Sequence, residues 1–470
     1  MEISIFGILL ILYSVKLLIV PGTFSGQISI RYTELCIVLC IFLDAGFVFK
    51  IGGFECEYNY FLTILAFVAI SVSSRSIVIG KQALTYITLI VYLIAVVALH
   101  ALVGTEFHSS SYLIEGGWEG AFKNGSLVTF RNHISQIIKP LIRMIVLGCI
   151  LISYSKKAND ESVNKINSIV FKLSITYLFI LGIEFIIINF TGTNYREVML
   201  SLFGHSSSTS PSYRTILGFN IPLGFTREPA SLAFQCLMIF TSNLYYVKKN
   251  GKGKAITIIY IIVLMLSLSM SSIMYMLAAG YLIYKPFKGN NKVIITFAIP
   301  IIAILGGMVA YSLFSGRFIL LQNDIFKFRE GLDAITLDST IIRTYSIYNN
   351  IQYFLKYPFI GTGLYSIYSF SAVVTLITNF GIIGSYLYIK FYKKCLCNIS
   401  EGKIIGIKLL VFVLLCFLFT GSPGQILYYP QMFYFFVIAN NVLENDKVTR
   451  IEAINKWNIT VVSSGTLSST

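Results

Sequence analysis

Apolar residues in this sequence come in blocks of about 15 to 23, separated by short charged or Gly/Asn/Ser-rich segments. An α-helix of about 20 apolar residues is long enough to cross the roughly 30 Å hydrocarbon core of a bilayer. Hydrophobic residues make up 56% of the chain and charged residues only 12%, whereas a soluble domain carries about 25% charged residues. The pattern therefore predicts an all-α, polytopic membrane protein with about 12–14 transmembrane helices.

The apolar blocks predict a single integral membrane domain over residues 1–455. The Ser/Thr-rich segment 456–470 is predicted to be a disordered tail. The first block lacks the basic region and cleavage site of a signal peptide, so we expect a retained helix. The candidate spans lie near residues 3–20, 34–50, 59–73, 82–104, 137–154, 168–190, 229–247, 255–269, 271–284, 293–314, 371–391, 404–420 and 429–443.

Lysines cluster in the short connectors between these spans. The positive-inside rule places such connectors in the cytoplasm, and an even number of candidate spans separates each cluster from the next. Much of the net charge of +15 is therefore a topology signal, and no nucleic-acid partner is expected. The clusters are Lys156, Lys157 and Lys165; Lys248, Lys249, Lys252 and Lys254; Lys285, Lys288 and Lys292; and Lys390, Lys393 and Lys394.

Arginines show the opposite distribution, in segments that this topology puts outside. Their guanidinium groups bind phosphate and carboxylate through a rigid, bidentate fork. Pairing with nearby glutamates is the alternative, and it explains a single arginine better than the whole set. The outer arginines are Arg131, Arg196, Arg214, Arg227, Arg317, Arg329 and Arg343.

Three of the predicted outer (periplasmic) loops are long, at about 105–136, 191–228 and 315–370. A compact protein rarely keeps a loop above about 15 residues unless the loop is functional or has structure of its own. We therefore expect these loops to contain short helices.

The last of these loops contains an amphipathic pattern. Ile347, Ile351 and Leu355 follow helical spacing, and Arg343 lies one turn before Ile347 on the same face. Pro358 is expected to end this helix. The arginine would then point into the protein, or alternatively toward the membrane interface.

Several nucleotide and metal motifs are missing from the sequence. It has no GxxxxGK[ST], no DxD pair and no HExxH, and its histidines are scattered. We therefore expect no metal and no cofactor. Asp44 and Glu184 are acids within candidate spans, and each could pair with a buried cation such as Arg143 or Lys172, or form part of a proton relay.

Three segments of the sequence, GFTREPAS at 224–231, YPFIGTG at 357–363 and NFGIIG at 379–384, resemble motifs of one family, the O-antigen polymerase (Wzy) and O-antigen ligase superfamily. Residues 224–231, GFTREPAS, resemble its G-[FL]-x-x-E-P-[SN] segment, and Arg214 resembles the arginine of its first large periplasmic loop. Arg343 followed by YPFIGTG at 357–363 resembles its R…P-[LF]-[IFL]-G-x-G pattern. Residues 379–384, NFGIIG, are similar to its G-[IL]-[IVL]-G signature.

The resemblance covers roughly residues 200–390 and implies a GT-C-like glycosyltransferase of the cell inner membrane, with its active site facing the periplasm. The implied reaction polymerises undecaprenyl-pyrophosphate-linked oligosaccharide repeat units without a metal. The implied partners are the lipid-linked glycan donor and acceptor, the membrane lipid, and a separate chain-length regulator protein.

The resemblance also implies roles for particular residues. Arg214 and Arg343 would stabilise the diphosphate leaving group, and Glu228 is the first candidate for the base, with His205 as the alternative. Glu228 could equally serve only to orient the side chain of Arg227, which precedes it in the chain. The further substrate-binding candidates are Arg227, Arg196, Arg317, Tyr345 and His205.

One departure from the family pattern affects the choice of reaction. Family members, ligases especially, carry a histidine shortly before the last motif, and this chain has none between Arg343 and Asn379. That disfavours the first alternative, an O-antigen ligase that transfers the glycan to lipid A core. A second alternative, from another class, is a lipid-linked oligosaccharide flippase, for which two similar halves would be expected.

Overall fold

The computed structural model of this protein shows a bundle of helices with a few short strands. The structure describes residues 2–19, 28–43, 46–52, 54–73, 80–103, 105–107, 128–129, 134–191, 202–204, 215–216, 218–226, 229–267, 270–284, 339–364, 371–399, 406–418, 427 and 429–444.

The helices follow the apolar blocks of the sequence. Residues 187–191 continue one of them as a turn of π-helix. The α-helices are α1 Ile5–Ile19, α2 Ile28–Phe42, α3 Tyr58–Ser73, α4 Lys81–Val103, α5 Ile134–Lys157, α6 Asp160–Ile186, α7 Pro229–Asn250, α8 Lys254–Leu266, α9 Met270–Tyr284, α10 Ser339–Lys356, α11 Ala372–Ile399, α12 Ile407–Phe417 and α13 Pro430–Glu444.

Among the described residues, four helical segments are long and apolar enough to cross a membrane: Lys81–Val103, Asp160–Thr191, Pro229–Asn250 and Ala372–Ile399. The protein is thus a mostly helical, membrane-embedded protein. Buried residues make up 83% of the most apolar stretch of α7 but only 28% of that of α4, so α7 lies inside the bundle and α4 at its periphery. The candidate span 293–314 lies outside the described residues.

Lysine side chains mark one end of the bundle. Lys394, near the end of α11, donates to the carbonyl of Lys81 at 3.1 Å and to the hydroxyl of Thr85 at 2.6 Å, at the start of α4. Lys248 and Lys408 donate to backbone carbonyls at the end of α13. Lysines from different connectors thus lie at the same end of the bundle, called the lysine end below. The sequence predicts this grouping of the lysine clusters on one side.

The opposite end, called the far end below, carries the other termini of the same helices. Ser371, just before α11, donates to the carbonyl of Phe417 at the end of α12, at 3.2 Å. Because Lys408 at the start of α12 lies at the lysine end, α11 begins at the far end. By the same alternation, α4 and α6 end there and α7 begins there.

Short strands at the far end were not predicted. β1 Glu2–Ile3, β2 Phe47–Ile51 and β3 Phe54–Glu57 form one antiparallel sheet in that order. The candidate span 34–50 is therefore wrong in its second half, where the run Phe-Val-Phe-Lys-Ile is a strand. Aromatic and β-branched residues favour a strand when neighbouring strands pair with them. The hydroxyl of Ser4 donates to the carbonyl of Phe47 at 2.8 Å and ties this sheet to the start of α1.

Two other strand pairs lie in the predicted outer loops. β4 Glu106–Phe107 pairs with β5 Val128–Thr129 within the first loop. β6 Thr215–Ile216 pairs with β7 Phe219–Asn220 within the second. In the third loop, α10 confirms the predicted helix, but Ile351 and Leu355 are 42% and 64% exposed, so the prediction that this face is buried is wrong for these two residues.

Candidate functional site at the far end of the bundle

Two of the three motif segments form one structural unit. The turn after α10 lies against a break in α11, where Gly381 leaves helical geometry with φ 64° and ψ −177°. Helix α11 cannot satisfy its own backbone groups at this break, so the turn supplies the partners. The backbone hydrogen bonds are Thr362 N to Thr378 O at 2.9 Å, Gly363 N to Asn379 O at 2.9 Å, Ile382 N to Pro358 O at 2.9 Å and Ile383 N to Phe359 O at 3.2 Å.

Glycine is required on both sides of this contact. Gly361 has φ +72° and Gly381 has φ +64°, a region that L side chains rarely adopt. A Cβ atom on Gly361 would lie 2.4 Å from the backbone nitrogen of Gly381. A Cβ on Gly381 would lie 2.3 Å from the carbonyl oxygen of Phe359. The two glycines therefore let the turn and the broken helix approach at backbone distance.

A histidine of α4 binds the same turn. His100 is only 2% exposed, and its Nε2 lies 2.9 Å from the carbonyl oxygen of Gly361. Because a carbonyl only accepts, Nε2 carries a proton. Nδ1 lies 3.0 Å from the hydroxyl of Thr105, which donates to it when the ring is neutral. His100 thus joins the end of α4 to the turn at residues 357–363.

A tyrosine two turns earlier on α4 completes the contact. The hydroxyl of Tyr92 lies 3.2 Å from the carbonyl oxygen of Phe359, 3.1 Å from that of Ile360 and 3.2 Å from that of Phe380. Its single proton can serve one of these carbonyls at a time. The turn and the broken helix are therefore both bound to α4.

The third motif segment is held by α6. Glu184 is 1% exposed, and its two carboxylate oxygens accept the backbone N–H groups of Leu223 at 3.1 Å and Gly224 at 2.6 Å. A buried carboxylate needs such donors because burial removes its hydration. The sequence analysis gave Glu184 either a buried cation as its partner or a place in a proton relay, and it did not predict these backbone donors. They fix the chain just before α7 begins at Pro229.

Tyr177, two turns earlier on α6, supports the same segment. Its hydroxyl donates to Oε1 of Gln235 at 2.5 Å and accepts the backbone N–H of Phe225 at 3.3 Å. A Cβ on Gly224, which has φ +58°, would lie 2.1 Å from the Tyr177 hydroxyl oxygen. The first glycine of the motif therefore makes room for this tyrosine.

An asparagine in the π-helical turn holds the hairpin that precedes this segment. The Nδ2 of Asn189 donates to the carbonyl of Asn220 at 2.9 Å, and its Oδ1 accepts the backbone N–H of Asn220 at 2.7 Å. The first strand of this hairpin starts at Thr215, directly after Arg214. The described stretch 218–226 of the second outer loop is thus bound to the end of α6 at two places, Asn220 and the pair Leu223–Gly224.

Most predicted site residues lie outside the described residues: Arg196, His205, Arg214, Arg227, Glu228 and Arg317. Arg343 and Tyr345 lie in α10, and only their backbone is described. Asp44 is also outside the described part. The structure thus describes the segments that flank these residues, and their assignments stay predictions.

The sequence analysis did not identify His100 and Tyr92 as parts of the unit formed by the turn and the broken helix, and it did not predict the backbone partners of Glu184. The available signal was an ionisable group in an otherwise apolar span, close to the predicted outer end. Among the described residues, no group of three or more His, Cys, Asp or Glu side chains is arranged to hold a metal ion. No protein-family model matches the sequence, and no curated protein matches it as a relative.

Proposed function

We propose that this protein is a metal-independent polysaccharide polymerase of a bacterial inner membrane. It would join undecaprenyl-pyrophosphate-linked repeat units on the periplasmic face, as an O-antigen polymerase does. One observation carries the proposal: the turn at 357–363 and the break at 379–384, which resemble two separate family motifs, are hydrogen-bonded to each other. The third motif segment, at 224–226, is held by Glu184 at the same end of the bundle.

The topology supports the proposed orientation. The lysine end would face the cytoplasm, because translocation disfavours lysine-rich connectors. The far end would then face the periplasm, with the motif segments and the outer arginines on that side. This arrangement brings the arginine-bearing loops to the compartment in which lipid-linked repeat units would be joined.

The proposed chemistry uses the lipid diphosphate as the leaving group. An acceptor sugar hydroxyl would attack the anomeric carbon of the donor glycan, and the bond from that carbon to the diphosphate oxygen would break. Arg214 and Arg343 would stabilise the charge that develops on the diphosphate. Glu228 would take the proton of the acceptor hydroxyl, with His205 as the alternative base.

The remaining site candidates would bind the substrates. Arg227, Arg196 and Arg317 would contact phosphate oxygens through bidentate hydrogen bonds, and Tyr345 would stack on a sugar ring. The lipid-linked donor and acceptor are the proposed partners, together with a chain-length regulator protein.

A ligase acting on lipid A core remains the nearest alternative. Its expected histidine is absent between Arg343 and Asn379, and His100 lies on a different helix with both ring nitrogens engaged. That engagement leaves neither nitrogen available to take a substrate proton, so His100 does not replace the missing residue.

The flippase alternative would use a different feature. Transporters often expose the unpaired backbone of a broken helix to their substrate or ion. In α11 the groups at the break bond instead to the chain's own turn, at residues 358–363, and to Tyr92. This pairing disfavours a transport site at the break.

The test is complementation of a polymerase-deleted host, with lipopolysaccharide ladders compared at matched expression. The native chain should restore a ladder, and Arg214→Ala or Arg343→Ala should reduce it to a single repeat on lipid A core. Loss of one transition-state donor costs on the order of 100-fold or more in rate. Arg31→Ala is the matched control, because Arg31 is an exposed arginine at the start of α2, at the lysine end.

Other ladder patterns would reject parts of the proposal. Uncapped lipid A core with polymer accumulating on the carrier lipid would indicate a ligase. Full ladders in both arginine variants would reject the proposed diphosphate site. If the native chain restores no ladder in its own host background, the polymerase assignment fails.

A further inference from the structure

Arg143 is an arginine inside a predicted span, and the glycosyltransferase chemistry above does not use it. It lies in α5, and its Nε is buried without a hydrogen-bond partner. The guanidinium carbon lies 4.9 Å from the centre of the Tyr60 ring of α3. A guanidinium over an aromatic face is attracted to the ring, but that contact does not neutralise its charge.

The charge of Arg143 has no acidic partner in the part of the chain that the structure describes. Ion pairs in that part include Lys50 with Glu55 at 3.0 Å and Lys165 with Glu34 at 3.7 Å, and neither involves Arg143. An arginine within a membrane span is costly unless it meets a carboxylate, a carbonyl or an anionic ligand. Arg143 therefore needs an anion to balance its positive charge.

The guanidinium lies toward the far end of the bundle. Tyr58, two residues before Tyr60, donates to the carbonyl of Phe203 in the second outer loop at 2.7 Å. Arg143 lies about 14 residues, or roughly 21 Å, from Lys157 at the lysine end. Side chains on a helix lean toward its N-terminus, and the N-terminus of α5 is at the far end. The Arg143 side chain thus reaches toward the far membrane interface.

The pair also borders the surface that faces lipid. On α5, Ile138 and Ile142 are 52% and 54% exposed, and on α3 Ile64 and Val68 are 40% and 49% exposed. Tyr60 precedes Ile64 by one helical turn on the same face of α3. Arg143 is itself half-buried, so its guanidinium is accessible to a lipid molecule and not only to the protein interior.

We propose that Arg143, stacked on Tyr60, binds the phosphate group of a membrane lipid in the far-end leaflet. Phosphate oxygens match the fork of the guanidinium, and they supply the negative charge that the described protein residues do not. The phosphate could come from a glycerophospholipid or from a prenyl diphosphate, and the chemistry of recognition is shared. This site does not depend on the proposed glycosyl transfer.

The experiment is native mass spectrometry of the purified full chain in detergent, titrated with three lipids. These are dioleoylphosphatidylglycerol, undecaprenyl diphosphate, and dioleoylglycerol, which has acyl chains but no phosphate. The native chain should bind the two phosphate lipids more tightly than dioleoylglycerol. Arg143→Gln should weaken their binding by about tenfold or more. Arg31→Gln, at the lysine end, should bind as the native chain does.

A second variant covers the case in which Arg143→Gln does not fold. Arg143→Lys keeps the positive charge but loses the bidentate fork, and it should weaken binding severalfold while the protein stays monodisperse. Tighter binding of undecaprenyl diphosphate than of phosphatidylglycerol would identify the carrier lipid as the ligand, and equal binding would identify any phospholipid. Equal binding of dioleoylglycerol, or native affinity in both Arg143 variants, would overturn the proposal.

Discussion

Gly361 and Gly381 lie against each other across two different chain segments, and a Cβ on Gly361 would come within 2.4 Å of the Gly381 nitrogen. Both glycines have positive φ. The contact joins the end of the loop that carries Arg343 to a membrane-spanning helix.

Replacing either glycine by alanine should therefore destabilise the protein. We expect Gly361→Ala or Gly381→Ala to cost about 3 kcal/mol or more, because backbone strain and overpacking act together. Thermal unfolding of the purified protein in detergent measures the effect. Gly182→Ala is the control, since nothing lies within 4 Å of its Cβ position. A loss in the control as large as in the two variants would contradict this explanation.

His100→Phe should destabilise the far end without changing the number of spans. The substitution leaves the Gly361 carbonyl without its donor, at a cost of about 1–3 kcal/mol. His100→Gln keeps an N–H donor and should lose less. Thr105→Val, which removes only the partner of Nδ1, should also lose less. Thermal unfolding ranks the three variants by the stability that each has lost. An equal loss in all three would argue against the hydrogen bond to the Gly361 carbonyl as the main contribution of His100.

Glu184→Gln tests the support beneath the third motif segment. The amide has one acceptor oxygen, so its NH2 group would face one of the two backbone N–H donors. We expect a loss of about 2–3 kcal/mol. Glu161→Gln, an exposed position at the start of the same helix, is the matched control. Unchanged unfolding temperatures in both variants would show that the two backbone contacts contribute little.

Asn440→Leu should be neutral or stabilising. Both polar atoms of this amide are buried without a hydrogen-bond partner among the described residues, and the residue is 1% exposed. A buried polar group without a hydrogen bond lowers the free energy of unfolding, because it has lost its hydration and gained no partner. Replacing it by an apolar group removes that penalty. Asn243→Leu is the contrasting variant, because that amide bonds to Ser174 at 3.2 Å and its loss should destabilise. If Asn440→Leu is the more damaging change, Asn440 binds a ligand or water.

Cys56 should react slowly with thiol reagents at neutral pH. Burial, together with the charge of Glu57, raises the pKa of its thiol from 9.0 to about 11. Because the thiolate is the reactive form, a rise of about two units lowers its fraction at pH 7.4 by about 100-fold. The rate of maleimide labelling, followed at the Cys56 peptide, should therefore increase as the pH rises toward 10. Labelling in denaturant is the control, and equal rates in the native and denatured states would contradict the shift.

The helices could largely be predicted from the sequence, because membrane insertion depends on local apolar length. The helix α10 was predictable for a different reason, the helical spacing of Ile347, Ile351 and Leu355. The strand at Phe47–Ile51 was not, since its apolar residues suit a span equally well and only its pairing with β1 and β3 decides. Pairing partners are set by tertiary structure and leave no local pattern.

The candidate site was less predictable than the helices. The motif segments were recognised separately, and their contact at Gly361 and Gly381 required the structure. His100 contacts a residue far away along the chain, so no local pattern identified it. The roles assigned to Arg214, Arg343 and Glu228 remain predictions.

The contact between His100 and Gly361 also limits the order of assembly. The two residues are 261 positions apart, so at bacterial elongation rates the histidine leaves the ribosome on the order of tens of seconds before its partner. During that interval the ring and the nearby Tyr92 hydroxyl have no native partner in the turn, and the insertion machinery or lipid must shelter them. This junction therefore cannot form before residue 361 has been synthesised, and a chain truncated before that residue would leave His100 and Tyr92 without their partners in the turn.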